Sequence, residues 1–385
     1  MVDLSPISFL EGRGYRRHVL SLVNALHQNK ISHRYTLLSR QKTADSFLPP
    51  GDPRFCVEHP RRRISMLHRP FSWTGWAGKL FLSDVDVVHF PCTDIWYGPP
   101  RARTVVTLHD FAPLHFPEHF FKNSKEEKQY RFLLERVAQN ADFLIAVSDF
   151  TRTEALKYLG VEPGRIQTVY NAVDPLFLKN SASLPDSETK RLGIEDPFFL
   201  FVGALDFRKN IPLLVKAFSW YRARGGSAHL VLVGRRNEKN PKYFPPLEPI
   251  LEKTPYRKNI LWLNQVSDSL LPAIYSKAIA LVFPSSFEGF GYPLVEAMAS
   301  GTPLVATQTS SLAEIAGEAA LWTEPVEEKI GEALKRVEED ETLRKRLKEE
   351  GKERLKLFLP ECLAEEMIRI YHQTAGVEFS RSARP

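Results

Sequence analysis

Short apolar runs recur along the chain, and each is followed by a turn or loop and then by a segment with helical periodicity. This alternation favours parallel sheets covered by helices on both faces, because parallel strands need a crossover connection and a helix commonly supplies it. The runs form two series in tandem. The predicted strands of the first series are Tyr35–Leu38, Val85–Phe90, Thr104–Leu108, Phe143–Val147 and a further strand that ends at the stretch from Val169 to Pro175. Those of the second series are Phe198–Val202, His229–Val233, Ile260–Leu263, Ala278–Phe283 and Leu304–Ala306.

The length of 385 residues exceeds that of one ordinary domain, and two domains of roughly 180 residues are expected. A polar segment from Lys179 to Pro197 separates the two series and predicts the boundary. We therefore expect an N-terminal domain over 1–180 and a C-terminal domain over 181–360. Residues 361–385 are expected to form a helix that packs back on the N-terminal domain, followed by a disordered tail.

Composition is that of a soluble globular protein, with 43% hydrophobic and 25% charged residues. The three cysteines, Cys56, Cys92 and Cys362, lack metal-ligand spacing, which predicts neither a zinc site nor a disulfide framework. No apolar run reaches the ~18 residues that indicate a membrane span, and a signal-peptide pattern is missing. These features predict a reduced, cytoplasmic protein.

The segment from Arg54 to Lys79 is basic and aromatic, with six Lys or Arg residues against one acid and with Phe71, Trp73 and Trp76 interleaved. This composition suits an anionic membrane surface, where basic side chains meet headgroups and tryptophan rings lie at the interface. A solvated loop with inward-packed rings remains the alternative. A nucleic-acid partner is not expected, because no helix-turn-helix, zinc-finger or RNA-binding pattern accompanies the charge.

The stretch from Pro284 to Gly301 follows a predicted buried strand and leads into a short helix that begins near Pro293. A strand, a glycine-bearing loop and a helix start form the place where open α/β sheets bind anionic ligands. Glu288 lies at the strand end and Glu296 about one turn inside the helix. Spacing alone leaves open whether both face one crevice or are solvated charges.

Histidine and glycine candidates lie in the first series. His109-Asp110 directly follows a strand, whereas Phe111 to His119, with His115, is predicted to be an irregular loop. Gly12 and Gly14 precede a helix predicted from about Tyr15 to Gln28, and either a phosphate loop or a plain turn fits them. Ser148 is predicted to be the N-cap of the next helix.

Glu288-Gly-Phe-Gly-Tyr-Pro-Leu-Val-Glu296-Ala-Met-Ala-Ser-Gly resembles the paired-glutamate motif of retaining, nucleotide-sugar-dependent glycosyltransferases of the GT-B fold, family 4 (glycosyltransferase group 1). The resemblance extends to Phe201-Val202-Gly203 with Arg208-Lys209-Asn210, and to Tyr170-Asn171-Ala172-Val173-Asp174. His109-Asp110 and the stretch from Ser310 to Gly317 also fit it. Within this family, the chain is similar to bacterial polysaccharide mannosyl- and rhamnosyltransferases. The fold this implies is α/β, with two Rossmann-like doubly wound parallel-sheet domains facing across a cleft.

The resemblance also implies roles for residues. Glu288 and His109 would face the transferred sugar as catalytic residues, and Glu296 would bind the nucleotide ribose. The donor diphosphate would be bound by Arg208, Lys209 and the backbone of Gly289, Phe290 and Gly291, while Gly12 and Gly14 would form an N-terminal glycine loop. Ala204 departs from the pattern, because many members have arginine there, which leaves the division of labour between Arg208 and Lys209 open.

The implied function is transfer of a hexose from a nucleotide sugar (a GDP- or UDP-sugar, with GDP-mannose as the favoured donor) to a glycan or lipid-linked acceptor. No cofactor and no metal ion are expected, since the sequence carries no metal motif. Two alternatives remain open at this point: a sugar-nucleotide epimerase of the same fold, and a non-catalytic glycan-binding or scaffolding subunit. A peripheral position on the inner face of the membrane fits the basic segment.

Replacing Arg61, Arg62 and Arg63 by glutamine is expected to weaken binding to anionic lipid vesicles in a salt-dependent way, because each basic residue near the surface adds about 1 kcal/mol. Vesicle co-sedimentation at low and high salt measures this. Identical binding by the variant would indicate a solvated loop.

Overall fold

The computed structural model describes residues 2–3, 13–29, 33–38, 52–58, 85–93, 102–179, 186–235 and 240–377. The chain divides into two compact units. Unit 1 comprises Met1–Pro117, Phe121–Ala172 and Leu359–Pro385, and unit 2 comprises Glu118–Phe120 and Val173–Phe358. The change at 172/173 lies before the predicted boundary at 180/181, because Phe177 is 2% exposed and packs edge-on against Tyr275 of unit 2.

Unit 1 contains a parallel sheet with the strand order β3-β2-β1-β4-β5-β6-β7. The order reverses at β1, whose two neighbours are β2 and β4. This reversal makes the sheet doubly wound and places a crevice at the carboxyl ends of β1 and β4. Its strands are β1 (Val2–Asp3), β2 (Tyr35–Leu38), β3 (Phe55–Glu58), β4 (Val87–Phe90), β5 (Arg103–Leu108), β6 (Phe143–Ala146) and β7 (Ile166–Thr168).

Unit 2 contains a second parallel sheet, with the order β10-β9-β8-β11-β12-β13 and the reversal at β8 and β11. Its central strands are apolar throughout and buried, as expected for strands covered on both faces. The strands are β8 (Phe198–Val202), β9 (His229–Val233), β10 (Ile260–Leu263), β11 (Ala280–Phe283), β12 (Leu304–Thr307) and β13 (Ala320–Thr323).

Helices connect these strands as the alternation of the sequence predicts. In unit 1 and its connections they are α1 (Arg13–Gln28), α2 (Ala112–His115), α3 (Pro117–Phe120), α4 (Ser124–Asn140) and α5 (Asp149–Leu159). In unit 2 they are α6 (Pro175–Leu178), α7 (Asp186–Leu192), α8 (Ile211–Ala223), α9 (Glu248–Lys253), α10 (Leu271–Lys277), α11 (Tyr292–Ala299), α12 (Leu312–Ala316), α13 (Glu327–Glu339) and α14 (Glu341–Leu355). The last helix, α15 (Pro360–Ala375), returns to unit 1.

The last helix completes the core of unit 1. Leu363, Met367 and Ile368 of α15 are buried in one apolar cluster with Leu22 and Leu26 of α1. The same cluster includes Val105 of the central strand β5, so α1 and α15 cover one face of the sheet together.

The fold class, two doubly wound parallel sheets of the Rossmann type, is confirmed. The prediction of an irregular loop from Phe111 to His119 is wrong, because α2 and α3 occupy this stretch. Pro113 and Pro117 lie in the first turns of these helices, where a fixed φ and a missing N–H favour helix initiation. The edge strands β3 and β13 and the two-residue strand β1 were not predicted from the sequence. Each of the two edge strands has a single pairing partner, which leaves it less buried and weakens its apolar signal, and β1 is too short to give a periodic pattern.

None of the helices among the described residues has the length and apolarity needed to cross a membrane.

Replacing Ile368 by alanine is expected to lower the free energy of unfolding of unit 1 by about 2–5 kcal/mol, because the side chain is 0% exposed and its loss leaves a cavity between α15 and α1. Urea unfolding followed by circular dichroism measures this. Val377→Ala, at a position 56% exposed, is the control and should stay within about 0.5 kcal/mol of the wild type. Equal stabilities of the two variants would contradict the packing role of α15.

Candidate functional site

The crossover point of the unit 2 sheet brings together two loops that are far apart in sequence. Residues 203–210 follow β8, and residues 284–291 follow β11, which pairs directly with β8. The backbone N–H of Ser286 donates to the carbonyl of Arg208 over 2.8 Å, which ties the loops together. The candidate site therefore lies at the carboxyl edge of the sheet, where its strand order reverses.

A buried ion pair joins the two loops. Lys209 Nζ contacts Glu288 Oε1, and the side chains are 10% and 11% exposed. Ser285 Oγ donates to the same carboxylate oxygen over 2.6 Å, and the Lys209 ammonium lies 5.1 Å from the centre of the Phe283 ring. A charge held this way is compensated by its partner, and removing either residue alone would leave the other buried and unpaired.

Arg208 is held beside this pair by a carboxylate and a phenol. Its Nε donates to Asp206 Oδ1 over 3.1 Å, and its Nη2 donates to Tyr243 Oη over 2.7 Å. The side chain of Arg208 is 13% exposed and that of Asp206 is 3% exposed. The 3₁₀ turn Phe207–Lys209, capped by Asp206 through the Arg208 N–H, sets this geometry.

Glu296 lies inside α11, as predicted, and is 1% exposed. Tyr275 of α10 donates its hydroxyl to Glu296 Oε2 over 2.8 Å, which fixes the carboxylate. Gly291, the residue before α11, has φ of 97°, and a Cβ there would come within 2.8 Å of Leu312. Glycine is therefore required at the turn that aims α11 at the loop.

Side chains at the carboxyl end of β12 and directly after it hydrogen-bond to the Glu288 loop. The Thr307 and Thr309 hydroxyls donate to the carbonyl of Ser285 over 2.8 and 2.7 Å. Ser310 Oγ accepts from the backbone N–H of Glu288 over 2.8 Å. The 288 amide is thus satisfied within the protein, and the loop is fixed by side chains of a neighbouring strand end.

His109 lies in unit 1, directly after β5 as predicted. Its Nε2 donates to the carbonyl of Pro91 over 2.6 Å, which makes Nδ1 the lone-pair nitrogen of the neutral ring. Burial lowers the pKa of His109 to about 4, although this hydrogen bond acts in the opposite direction. Its ring packs edge-on against Tyr15 and His18 of α1, with centroids 4.6 and 4.7 Å apart.

His18 and His89 form a buried polar group around His109. The pKa of His18 is lowered to about 3, chiefly by burial and also by the nearby His109, whereas its hydrogen bond to Asn171 acts in the opposite direction. His18 Nδ1 lies 2.7 Å from Asn171 Oδ1, and His89 hydrogen-bonds Thr107 and Tyr371. Burial also lowers the pKa of His89 well below its ordinary value. The three rings are therefore neutral at physiological pH.

The sequence-predicted residues fall into two groups. Unit 2 brings together Arg208, Lys209, Glu288, Glu296 and the residues 289–291, whereas His109 lies with the histidines of unit 1. The prediction of a shared cleft stays a prediction.

The structure differs from the predicted N-terminal glycine loop at Gly14. Gly14 lies in the first turn of α1 rather than in a loop, because the helix begins at Arg13, two residues earlier than predicted. Gly12 lies outside the described residues.

Most of the basic segment 54–79 also lies outside the described residues. Arg54 of that segment is described, and it pairs with Asp52 and donates to the carbonyls of Asn29 and His27 rather than standing on an open basic surface.

Several supporting residues were missed by sequence reasoning: Asp206, Tyr243, Tyr275, Ser285, Ser310 and His18. Asp206 and Ser285 had a local signal, since each lies within three residues of its partner. Tyr243 and Tyr275 had no local signal, because each meets its partner through the tertiary fold.

The two further histidines of the stretch from Phe111 to His119 have packing contacts. His115 pairs with Glu154, and His119 stacks on Phe207.

Across the described parts of the chain, no three His, Cys, Asp or Glu side chains are grouped so that they could hold a metal ion. The expectation that the reaction proceeds without a metal stays a prediction.

Two family models match most of the chain. Residues 12–176 match the model described as Glycosyltransferase Family 4, and residues 186–354 match the one described as Glycosyl transferases group 1. The match to the group 1 model includes Arg208, Lys209, Glu288 and Glu296.

Two curated relatives are mannosyltransferases by name. The O-antigen chain mannosyltransferase RfbU of Salmonella typhimurium is 28% identical over 70% of this chain and 72% of its own length. The O-antigen chain mannosyltransferase B of Escherichia coli is 30% identical over 60% of this chain, and the match spans 60% of its own length.

Among solved structures, HepE from Anabaena in complex with UDP-glucose has a TM-score of 0.74 at 16% identity, over 97% of this chain and 98% of that one. At this identity the likeness concerns the fold alone.

His109→Gln is expected to flatten the dependence of stability on pH. Between pH 6.5 and about 4 the unfolded chain binds a proton at position 109 that the folded chain does not, so stability falls as the pH falls, by about 1 kcal/mol per pH unit for one such group. Urea unfolding from pH 4.5 to 7.5 measures the slope in both proteins. The difference at pH 7.5 gives the cost of the substitution itself, and parallel slopes below pH 6.5 would contradict a neutral His109.

Proposed function

Because the chain belongs to the group 1 and family 4 glycosyltransferases, we propose that it transfers a hexosyl residue from a nucleotide sugar to a hydroxyl of a glycan or lipid-linked acceptor. The observation that carries the proposal is the convergence of Arg208, Lys209, Glu288 and Glu296 at the crossover point of one parallel sheet. Two cations beside two carboxylates suit a donor with an anionic diphosphate and neutral hydroxyl groups.

Each residue has a role that its chemistry supports. Arg208 and Lys209 stabilise the negative charge that develops on the departing diphosphate, together with the amides of residues 289–291. Glu296 accepts hydrogen bonds from the vicinal hydroxyls of the ribose. Glu288 and the neutral His109 bind hydroxyls of the transferred sugar, with His109 accepting through Nδ1.

Transfer is proposed to retain the anomeric configuration. The bond from the anomeric carbon to the diphosphate oxygen breaks, and a bond to the acceptor oxygen forms on the same face of the sugar. The acceptor proton passes to the departing phosphate oxygen, so the products are a glycoside and a nucleoside diphosphate. This route uses no protein nucleophile, and Glu288 remains a binding group for the sugar.

Mannose is the proposed sugar, and GDP-mannose the proposed donor. The names of the relatives RfbU and mannosyltransferase B support the sugar, and they support an O-antigen type of glycan as acceptor. A peripheral position at a membrane would suit a lipid-linked acceptor and the basic segment 54–79.

Incubating the purified chain with GDP-mannose, GDP-fucose, UDP-glucose and UDP-galactose, with and without a mannosylated acceptor, tests the proposal. Release of GDP that depends on the acceptor, with an α-linked product by NMR, is expected for GDP-mannose. Turnover of a UDP-sugar alone would replace the donor, and no turnover together with no binding of GDP or UDP would remove the enzymatic proposal.

Glu296→Gln is expected to weaken GDP binding by about 1–3 kcal/mol, because a charged acceptor for the ribose hydroxyls is lost while the side-chain volume is kept. Titration calorimetry measures the affinity. Glu318→Gln, at an exposed position after α12, is the control and should bind GDP as the wild type does. Unchanged affinity in Glu296→Gln would remove its ribose role.

A further inference from the structure

Arg208 is enclosed by aromatic rings as well as by its carboxylate partner. Its guanidinium carbon lies 5.9 Å from the centre of the Phe120 ring and 5.7 Å from that of Tyr243. The rings of Phe120 and Tyr243 contact each other edge-on with centroids 5.0 Å apart, and Phe207 packs edge-on against Tyr243 at 5.4 Å. We call Phe120, Phe207 and Tyr243 the aromatic collar; all three belong to unit 2.

The position of Tyr243 is fixed by its own backbone. Its carbonyl accepts from the N–H of Phe207 over 2.9 Å, and its N–H donates to the carbonyl of Asn240 over 3.2 Å. The neighbouring Lys242 carbonyl accepts from His119 Nδ1 over 2.9 Å. The hydroxyl that meets Arg208 therefore comes from a segment tied to the same corner that carries the arginine.

We propose that Tyr243 is a positioning residue, which orients the Arg208 guanidinium for the diphosphate of the donor and so makes the site distinguish nucleoside diphosphates from monophosphates. The geometry that carries this is the hydrogen bond from Arg208 Nη2 to Tyr243 Oη, at 2.7 Å, within the collar. The inference rests on the proposed function.

The choice of a phenol has a physical reason. Asp206 already accepts from Nε and Nη2 of Arg208, over 3.1 and 3.3 Å, and fixes one edge of the planar group. A second carboxylate would cancel the charge that must attract the diphosphate. A neutral hydroxyl oxygen holds the plane without adding negative charge, so the guanidinium keeps its attraction for the diphosphate.

Orientation matters more for this corner than total charge. A guanidinium recognises phosphate oxygens through parallel hydrogen bonds whose strength depends on the angle of its plane, whereas an ammonium acts as a point charge. Lys209 of the same corner is paired with Glu288. Directional binding of the diphosphate is therefore assigned to Arg208, and Tyr243 sets the orientation of the Arg208 guanidinium plane.

Tyr243→Phe tests this, because it keeps the ring and removes only the hydroxyl. Calorimetry with GDP, GMP and guanosine (and with UDP, UMP and uridine if the site takes uridine) should give a loss of about 3- to 10-fold in affinity for the diphosphate, with the monophosphate and nucleoside unchanged. Tyr256→Phe is the matched control: Tyr256 also lies beside an arginine, 5.9 Å from the guanidinium carbon of Arg222, but near the amino end of β10. It should bind all the ligands normally.

A double-mutant cycle separates positioning from other effects. In the Arg208→Gln background, Tyr243→Phe should cost no further affinity for the diphosphate. Parallel losses for diphosphate, monophosphate and nucleoside, or the same loss with and without Arg208, would overturn the role of Tyr243 while leaving the proposed function intact. Failure of the wild type to bind any nucleoside diphosphate would instead remove the proposed function, and this inference with it.

Discussion

The parallel pairing of β8 with β11 is the constraint on which the candidate site depends. It joins loops whose residues are 79 positions apart in sequence and allows Lys209 to meet Glu288. Because the sheet order reverses here, the helices that follow these loops pack away from the strand ends and leave a crevice. Gly234, after β9, keeps the adjoining edge close, since a Cβ there would collide with the carbonyl of Gly203.

A buried ion pair in such a crevice is costly unless every lone pair and proton is satisfied. Here Ser285 donates to the carboxylate, Ser310 satisfies the backbone N–H of Glu288, and the Lys209 ammonium lies near the Phe283 ring. The pair is thereby held as a preorganised arrangement rather than as a source of stability. Preorganised charges lose little in reorganisation when a substrate develops charge, which is the property that the proposed transfer requires.

The buried polar residues of the two units differ in charge. In unit 2, Arg208 and Lys209 are each paired with a carboxylate, whereas unit 1 buries histidines in neutral form around His109. A neutral imidazole of fixed tautomer is suited to accepting a hydrogen bond from a sugar hydroxyl. It is unsuited to neutralising a diphosphate, and this difference supports separate roles for His109 and Arg208.

The sequence by itself determined two series of alternating strands and helices, most strand positions, the placement of Glu288 and His109 at strand ends and that of Glu296 inside the following helix, because these follow from local periodicity and turn residues. The doubly wound strand order was implied only by the resemblance to a known family. It did not reveal α2, α3, β1, β3 or β13, because prolines interrupt the helical pattern of α2 and α3, β1 has only two residues, and β3 and β13 lie at sheet edges. Only the tertiary structure decided that Glu288 pairs with Lys209, that Tyr243 holds Arg208 and which residues of α15, a helix expected to pack on the N-terminal domain, are buried against α1. Each of these contacts joins distant segments, and the order of strands in a sheet, which sets them, is not written in local sequence.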